Sequence, residues 1–545
     1  MVMNRYIKSL LLLACCSAQT VTARVVLPDI LSSGMVVQRG EEVSLWGKAD
    51  PGESIHARCG KKSVSTVADG CGNWSLKLPA LKAGGPYVLQ VNDMVLDDVL
   101  SGDVFVCSGQ SNMELPVNRV LDMFADEVSE YADEHVRQFM VDRQFSFDAN
   151  ESDTQGSWSK ADPAAAMNFS ALGYFFAKEL HAATGVPVAI INSSWGGTPI
   201  EAWMSREYLS DDPMALAQLR IYDDEAYRDN IKRHESENFA RWNATLYSMD
   251  NGVNGDVKWF DCQLDMSDWA NVVIPGEYGS SRSSWGSDGL NPVNGSHWFR
   301  KTVYVPAGEA GKDAVLRLGC IVDADSVFFN GEYVGSTGYQ YPPRVYKVPG
   351  RLVKEGDNQL TVRVISQNGY PQFVPEKPYK LIFDDLEISL EGEWKYRLGA
   401  VMPSGPGMQF YCYVPTVLYN KMIRPIVKYP VCGVVWYQGE SNVGRRNQYD
   451  RQLVSLIDNW RAAWGDADMP FYVVELADFL HPSDKGGRQA WAEMRQRQAK
   501  AVSDTHHAWL IGNSDLGEWN DIHPLDKKTL GQRVARQVLD NANKK

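Results

Sequence analysis

The chain has 545 residues, of which 44% are hydrophobic and 11% aromatic, and its formal net charge at pH 7 is -14. This length and composition predict a globular protein of about three or four domains and exclude a disordered chain. The negative charge argues against nucleic acid and anionic membranes as partners, because phosphate groups would be repelled.

The first residues have the pattern of a targeting segment. Arg5 and Lys8 precede a short apolar run, and Val21-Thr22-Ala23 offers small residues for cleavage. We therefore expect residues 1–23 to be a signal peptide and the protein to be periplasmic or secreted. A lipid-modified Cys15 is the alternative. No other run approaches the ~20 apolar residues of a membrane-spanning helix, so no membrane span is expected.

Export to an oxidising compartment would permit disulfides among the cysteines outside the leader. Cys59 and Cys71 flank a predicted hairpin and are the best candidates for a pair. No group of cysteines and histidines has the spacing of zinc ligands. We therefore predict neither a metal nor another cofactor.

Residues 24–100 have an all-β pattern. Short runs of alternating polarity are separated by glycine and proline at intervals of about ten residues, which is typical of a small sandwich. The runs include Val43–Trp46, Val64–Val67, Trp74–Leu78 and Tyr87–Val91. We interpret this part as an N-terminal β-sandwich that serves as scaffold or binding module.

From residue 101 the pattern changes to alternating strands and helices. Val104, Phe105 and Val106 predict a buried strand, and small polar residues from Cys107 to Met113 predict a sharp exit from it. Ligands of open α/β sheets bind beyond the carboxyl ends of the strands. Ser111 is therefore a candidate nucleophile. The alternative is a serine that caps the next helix.

The alternation continues through residues 101–246, the first part of the predicted α/β core. It predicts helices over 120–130 and 171–184 and strands over 136–141 and 186–191. The last strand leads into Asn192–Thr198. Such βαβ alternation predicts a parallel sheet with helices on both faces.

Residues 247–394 again have an all-β pattern and are interpreted as an inserted β-sandwich or jelly-roll domain. Strands are predicted over 301–305, 314–318, 326–329 and 360–365. Four tryptophans lie among turn clusters, where they either pack in a core, as most are expected to, or stack on sugar rings. They are Trp259, Trp269, Trp285 and Trp298.

Residues 395–545 complete the α/β core. Strands are predicted over 431–437, 471–475 and 508–511, and helices over 448–464, 489–502 and 526–541. The first of these strands leads to Gln438-Gly439-Glu440-Ser441-Asn442. His523 stands before the last helix, and a serine hydroxyl needs such a base to take its proton. Ser111 and His523 together predict an enzyme.

Four motifs in this order resemble the sialate O-acetylesterase family within the SGNH, or GDSL-like, serine hydrolases. They are GQSNM at 109–113, SSWGGTPIEAW at 193–203, WYQGESN at 436–442 and DIHP at 521–524. The resemblance covers the chain from about Val25 to its end. It implies removal of O-acetyl groups from sialic acid, with Ser111 as nucleophile and His523 as base. It also implies an oxyanion hole formed by the Ser111 and Gly197 N–H groups and a side chain of the third motif.

Two positions depart from the superfamily pattern. Ser441 stands where an asparagine is usual, so Gln438 or Asn442 would supply the oxyanion amide, and we favour Gln438. Asn520 stands where the aspartate of the triad is usual. Either Asp521 orients His523, which we favour, or a backbone carbonyl does so and the enzyme works with a Ser–His dyad.

The remaining motif residues are expected to bind substrate or to brace the loops. They are Gln110, Asn112, Trp195, Glu440 and Asn442. Arg445 and Arg446 either face a sialate carboxylate or lie on a solvated loop. An acetylxylan-type esterase and a non-catalytic carbohydrate-binding protein are the alternative functions.

Overall fold

The computed structural model describes residues 25–150, 153, 155–275, 293–368 and 371–543. The predicted signal peptide and Trp285 lie outside these residues and stay predictions. Within the described residues, no helix is long and apolar enough to cross a membrane.

The N-terminal part consists of one long strand, four short strands joined to its sheet, and two more that pair with each other. Its short strands are β1 Val36–Gln38, β2 Val43–Lys48, β3 Ser54–Cys59, β4 Lys62–Val67, β5 Asn73–Leu78 and β6 Gly84–Val91, of which β2 and β5 form the separate pair. The long strand, β7, spans Met94–Gly109. Its first half pairs with β6 and its second half lies in the central sheet. Residues 99–109 are buried without interruption, as expected for a strand covered on both faces.

The predicted Cys59–Cys71 pair is wrong, because both cysteines are free. Cys59 ends β3 and opposes Lys62, at the closed end of the β3–β4 hairpin. Cys71 follows the other end of β4, beyond Val67, which opposes Ser54. Five residues of strand, about 16 Å, separate the two ends of the hairpin. A disulfide needs Cα atoms within about 7 Å.

The first part of the α/β core follows β7. Its elements are α1 Ser111–Glu114, α2 Leu121–Glu130, β8 Asp133–Val141, β9 Gly156–Ala161, α3 Ala171–Thr184 and β10 Val188–Ser194. The predicted bounds of α3 are confirmed because both caps are local. The Ser170 side chain accepts the Gly173 N–H at the start, and Gly185 ends the helix with φ of 67°.

Three helices that were not predicted precede the strands of the insertion. They are α4 Pro213–Tyr222, α5 Glu225–Met249 and α6 Asn251–Asn254. In the 25 residues of α5 only Trp242 and Leu246 are buried. The helix therefore lacks the apolar stripe that reveals a helix in a sequence.

The insertion is an all-β unit of twelve described strands. They are β11 Ala270–Ile274, β12 Asn294–Val305, β13 Ala314–Leu318, β14 Ile321–Val322, β15 Ala324–Phe329, β16 Glu332–Thr337, β17 Val345–Val348, β18 Gly356–Ser366, β19 Gln372–Phe373, β20 Tyr379–Ile382, β21 Glu387–Ser389 and β22 Gly392–Met402. They form sheets of six, four and two strands among the described residues. Trp259, Trp269 and Trp298 pack together in a buried cluster. Their interpretation as core residues is therefore confirmed.

The second part of the α/β core completes the central sheet. Its elements are β23 Gly433–Tyr437, α7 Tyr449–Trp464, β24 Phe471–Val474, α8 Lys485–Ser503, β25 Ala508–Ile511 and α9 Lys527–Ala542. The strand order is β25-β24-β23-β7-β10-β8-β9, and all neighbours are parallel except β8 and β9. Helices flank this sheet: α3 packs on β8, β10 and α9, and α7 packs on α8.

Each internal boundary predicted between domains falls inside one element. The boundary at 100/101 lies in β7, that at 246/247 in α5, and that at 394/395 in β22. A change in sequence pattern marks where the packing partners of the chain change. A single strand or helix can continue across that point.

The register of the sheet brings three loops together. Gly109, at the end of β7, lies opposite Ser194 on β10 and Tyr437 on β23. The chain segments that follow these residues therefore leave the same edge of the sheet side by side.

Candidate active site

Ser111 lies at the carboxyl edge of the sheet as the first residue of α1. Gln110 occupies the N-cap position, and no side chain caps the helix. Ser111 is therefore not a capping serine, and its backbone N–H has no acceptor within the helix. A β-carbon placed on Gly196 would lie 3.3 Å from the β-carbon of Ser111. The loop that follows β10 therefore packs directly on Ser111.

Gly197 follows in the same loop with φ of 77°. A β-carbon on this residue would lie 2.0 Å from the hydroxyl oxygen of Tyr413, so a larger residue would displace Tyr413 and strain a backbone whose φ favours glycine. The N–H of Gly196 is engaged by the Glu114 carboxylate. Trp195, in the same loop, is half-buried and lies near Phe145.

The loop that carries His523 is tied to Ser111 through Asn112. The Asn112 side chain donates to Ile522 O at 2.9 Å. Lys527 Nζ donates to Asn112 Oδ1 and to Pro524 O, each at 2.8 Å. The residue after Ser111 is thus bonded to the residue before His523, and Lys527 extends the link to the residue after it.

His523 is buried, and its ring meets the ring of Tyr341 edge-on at 5.3 Å between centroids. Its Nδ1 atom has no hydrogen-bond partner among the described residues. Burial is the largest cause that lowers the pKa of His523 to about 3, followed by the charges of Lys527, Arg119 and Lys377. The imidazole is therefore neutral at pH 7, the form that can accept a proton.

Asp521 does not hydrogen-bond the His523 imidazole. Its Oδ1 lies 3.8 Å from Nδ1 and accepts the His523 backbone N–H at 2.9 Å. Its Oδ2 accepts Lys377 Nζ at 3.0 Å. Asp521 therefore holds the turn. A backbone carbonyl does not orient the ring either, because Nδ1 is unpartnered within the described residues.

The expectation that Gln438 supplies the oxyanion amide is not met by this geometry. Gln438 is fully buried, and its Nε2 donates to Asn442 Oδ1 at 2.7 Å and to Thr198 O at 3.2 Å. Its Oε1 accepts the Tyr449 hydroxyl at 2.7 Å. The amide is turned inward because buried acceptors already engage its hydrogens.

Asn442 and Glu440 form hydrogen bonds that brace the loops, which is one of the two roles expected for them, the other being substrate binding. Asn442 Oδ1 accepts the Ile200 N–H at 3.0 Å, which ties the segment after β23 to the segment after β10. Glu440 Oε1 accepts the Asn112 side chain at 2.7 Å. Burial is the largest cause that raises the pKa of Glu440.

Within the described residues, the side-chain nitrogen of Gln110 has no acceptor, whereas that of Gln438 is engaged. Its Oε1 accepts Gln438 Nε2 and the Ser441 N–H, each at 3.2 Å. Its Nε2 has no partner among the described residues, and Ser441 Oγ in turn donates to Gly197 O at 2.8 Å. The carboxamide of Gln110 is thereby held by its oxygen against residues 438–441, and its nitrogen keeps its hydrogens unbonded within the described residues.

Three side chains near His523 come from segments in which no catalytic residue was predicted. Tyr341 and Lys377 belong to the insertion, and Arg119 follows α1. The loop of His523 also contacts the insertion through Asn520, whose side chain donates to Pro375 O at 2.7 Å. These contacts join segments far apart in the chain, and no local pattern marks them.

Arg445 and Arg446, the cations suggested for a substrate carboxylate, are both paired. Arg445 lies 3.2 Å from Glu201 Oε1, and Arg446 Nε lies 2.6 Å from Glu493 Oε2. Their charge is balanced within the protein, which favours the structural alternative.

One group of metal-ligating types lies far from this site, at the start of β8. The ligand atoms of Asp133, His135 and His181 all lie within 4.8 Å of one another. His135 and His181 stack with ring centroids 5.3 Å apart. The absence of a metal therefore stays a prediction.

The large parallel sheet with flanking helices, and the loops of Ser111 and His523 at one edge of it, have the architecture of an SGNH-like esterase. A family model described as carbohydrate esterase, sialic acid-specific acetylesterase, matches residues 101–247 and 395–540, more than half of the chain. The chain belongs to this family.

Known relatives match parts of the chain. A sialate O-acetylesterase of Pongo abelii is 27% identical over 270 residues, which are 45% of this chain and 50% of the relative. That of Mus musculus is 30% identical over 186 residues, 30% of this chain and 34% of the relative. The chain thus spans half or less of the curated relatives it matches. A solved carbohydrate acetylesterase from Xanthomonas citri is similar over 94% of this chain and 74% of its own, with a TM-score of 0.54 and 26% identity.

Proposed function

We propose that this protein is an exported serine carboxylesterase that removes O-acetyl groups from sialic acids. The observation that carries the proposal is the bridge from Asn112 to Ile522 O, which holds the Ser111 turn against the loop of a neutral, buried His523. The family description and the names of the relatives support the substrate class. The charge pattern at the N-terminus supports export.

The reaction follows from the roles of two side chains. Ser111 Oγ attacks the carbonyl carbon of the acetyl ester while His523 accepts its proton. The bond between the acetyl carbon and the sugar oxygen breaks, and His523 returns the proton to that oxygen. Water, activated by His523, then releases acetate from the acetyl-Ser111 intermediate and regenerates the serine.

The oxyanion of each tetrahedral intermediate needs donors that are fixed in advance. The Ser111 N–H and the Gly197 N–H supply two of them, and the side chain of Gln110 supplies the third in place of Gln438. The free Nε2 of Gln110 and the engaged amide of Gln438 support this assignment. One such donor contributes about 3 kcal/mol to the stability of the transition state.

Replacing Gln110 with alanine is expected to reduce kcat about 100- to 1,000-fold, because one oxyanion donor is lost. The Gln438→Ala variant is the matched comparison. Its loss of buried hydrogen bonds should lower Tm more than it lowers the kcat of the folded enzyme. Steady-state kinetics and thermal melts of both variants measure this. A large loss of kcat in Gln438→Ala together with normal turnover in Gln110→Ala would reverse the assignment.

The acid limb of the pH profile of kcat/KM should lie at lower pH than an ordinary histidine base would give. The pKa of His523 is lowered to about 3, and a general base works in its neutral form, so activity is kept above this pKa and lost as the pH falls through it. We expect the acid limb of kcat/KM for a neutral acetate ester below about pH 4.5, with folding checked by circular dichroism. A limb near 6.5, the ordinary pKa of histidine, would count against a buried, unpaired base.

The experiment that tests the function compares acetate release from three substrates. These are O-acetylated N-acetylneuraminic acid, acetylated xylan and 4-nitrophenyl acetate. We expect the sialate ester to be cleaved with the highest kcat/KM. Faster cleavage of xylan would favour a plant-polysaccharide esterase. No release from any of the three would favour a carbohydrate-binding protein without catalysis.

A further inference from the structure

Arg119 lies beside the proposed base. It ends the short 3-10 helix Val117–Arg119, directly after α1. Its guanidinium donates to the Tyr341 carbonyl at 3.1 Å, and the Tyr341 ring packs on the ring of His523. The charge of Arg119 is also close enough to act on the imidazole. Arg119 therefore lies beside His523, with Tyr341 bonded to the one and packed on the other.

The two other cations that act on His523 are held by protein groups. Lys377 pairs with Glu518 at 2.8 Å and with Asp521 at 3.0 Å. Lys527 is buried and donates to Asn112 Oδ1 and Pro524 O. Neither is available to a ligand without breaking these bonds.

Arg119 differs from both because it has no carboxylate partner among the described residues. Its Nε is buried and has no hydrogen-bond partner there. A guanidinium has five N–H donors, and the described residues accept one of them, at Tyr341. The side chain is only partly buried, so part of this unpaired positive charge stays accessible to a ligand.

We propose that Arg119 binds the carboxylate of the sialic acid and thereby selects anionic sugars over neutral ones. This inference rests on the proposed esterase function. A guanidinium matches the two oxygens of a carboxylate geometrically as well as by charge. With a net charge of -14 the protein repels an anionic sugar at long range, so recognition needs a local cation.

A purely structural role would give a different result. In that case Arg119 would only fasten the insertion to the core through the Tyr341 carbonyl. Its removal would then affect neutral and anionic substrates equally. Recognition of a carboxylate would instead affect the anionic substrate alone or far more strongly.

The test compares O-acetylated N-acetylneuraminic acid with its methyl ester, which carries the same acetyl group without the charge. In Arg119→Gln we expect kcat/KM for the acid to fall about 10- to 100-fold, mainly through KM, and that for the methyl ester to change less than about threefold. Arg119→Lys should recover part of the loss. Arg446→Gln, which removes an arginine paired with Glu493, is the matched control and should leave the ratio of the two substrates unchanged.

A binding measurement separates this inference from the esterase proposal. N-acetylneuraminic acid is titrated calorimetrically into Ser111→Ala enzyme with and without Arg119→Gln, and the second variant should bind about 10- to 100-fold more weakly. Equal affinities, or equal losses on acid and methyl ester, would overturn the role of Arg119. Full activity of Ser111→Ala would overturn the esterase mechanism instead and leave the affinity difference standing.

Discussion

Replacing Ser111 with alanine is expected to lower kcat for acetate release by about 10⁴- to 10⁶-fold, because the acetyl-enzyme can no longer form. The fold should be kept. Ser111 is the first helical residue of α1 and not its cap, and alanine is favourable there. The measurement is acetate release from O-acetylated N-acetylneuraminic acid, with thermal melts of both proteins.

The matched control for this variant is Ser129→Ala. Ser129 lies on α2, and its hydroxyl bonds only the nearby Asp126 carbonyl among the described residues. Activity in this control should equal that of the wild type. If Ser111→Ala retained more than about a tenth of the wild-type rate, Ser111 could not be the nucleophile.

Replacing His523 with alanine should lower kcat for acetate release about as much as Ser111→Ala does, since the two residues act on the same proton. A nucleophile and its base act as a unit, so the double variant Ser111→Ala/His523→Ala should lose no more than either single variant. Kinetics of the three proteins on the same substrate measure this. Multiplied losses in the double variant would show that the two residues act independently.

Asp521→Asn is the comparison that separates a dyad from a triad. Its Oδ1 lies 3.8 Å from the imidazole and is bonded to the His523 backbone N–H, which an asparagine oxygen can also accept. A loss of less than about tenfold is therefore expected, compared with about 10⁴-fold where a triad aspartate holds the imidazole. A loss of that larger size would mean that the carboxylate turns to the imidazole during catalysis.

Local signals allowed much of the fold to be predicted from the sequence. The ends of α3 are marked by Ser170 and Gly185, and β25 is an apolar run of the predicted length. The order of the motifs placed Ser111 and His523 in loops that the structure ties together through Asn112. A strand followed by small polar residues predicts the edge of a sheet whatever surrounds it.

Other features depended on contacts that no local pattern records. The direction of the Gln438 amide is decided by Thr198, Asn442 and Tyr449, which belong to three different segments of the chain. The choice between Gln438 and Gln110 therefore needed side-chain positions. For the same reason Arg119 could not be distinguished from any surface arginine before the ion pairs of its neighbours were known.

The long strand β7 has a consequence for how the protein can be shortened. Its first half pairs with β6 and its second half forms the middle of the central sheet, ending two residues before Ser111. A truncation near residue 100 would cut this strand and remove the strands that pair with its first half. The remaining half would be held less firmly, and with it the turn that positions Ser111. The smallest active fragment therefore keeps the N-terminal strands, and heat or denaturant should melt them together with the esterase in one cooperative step.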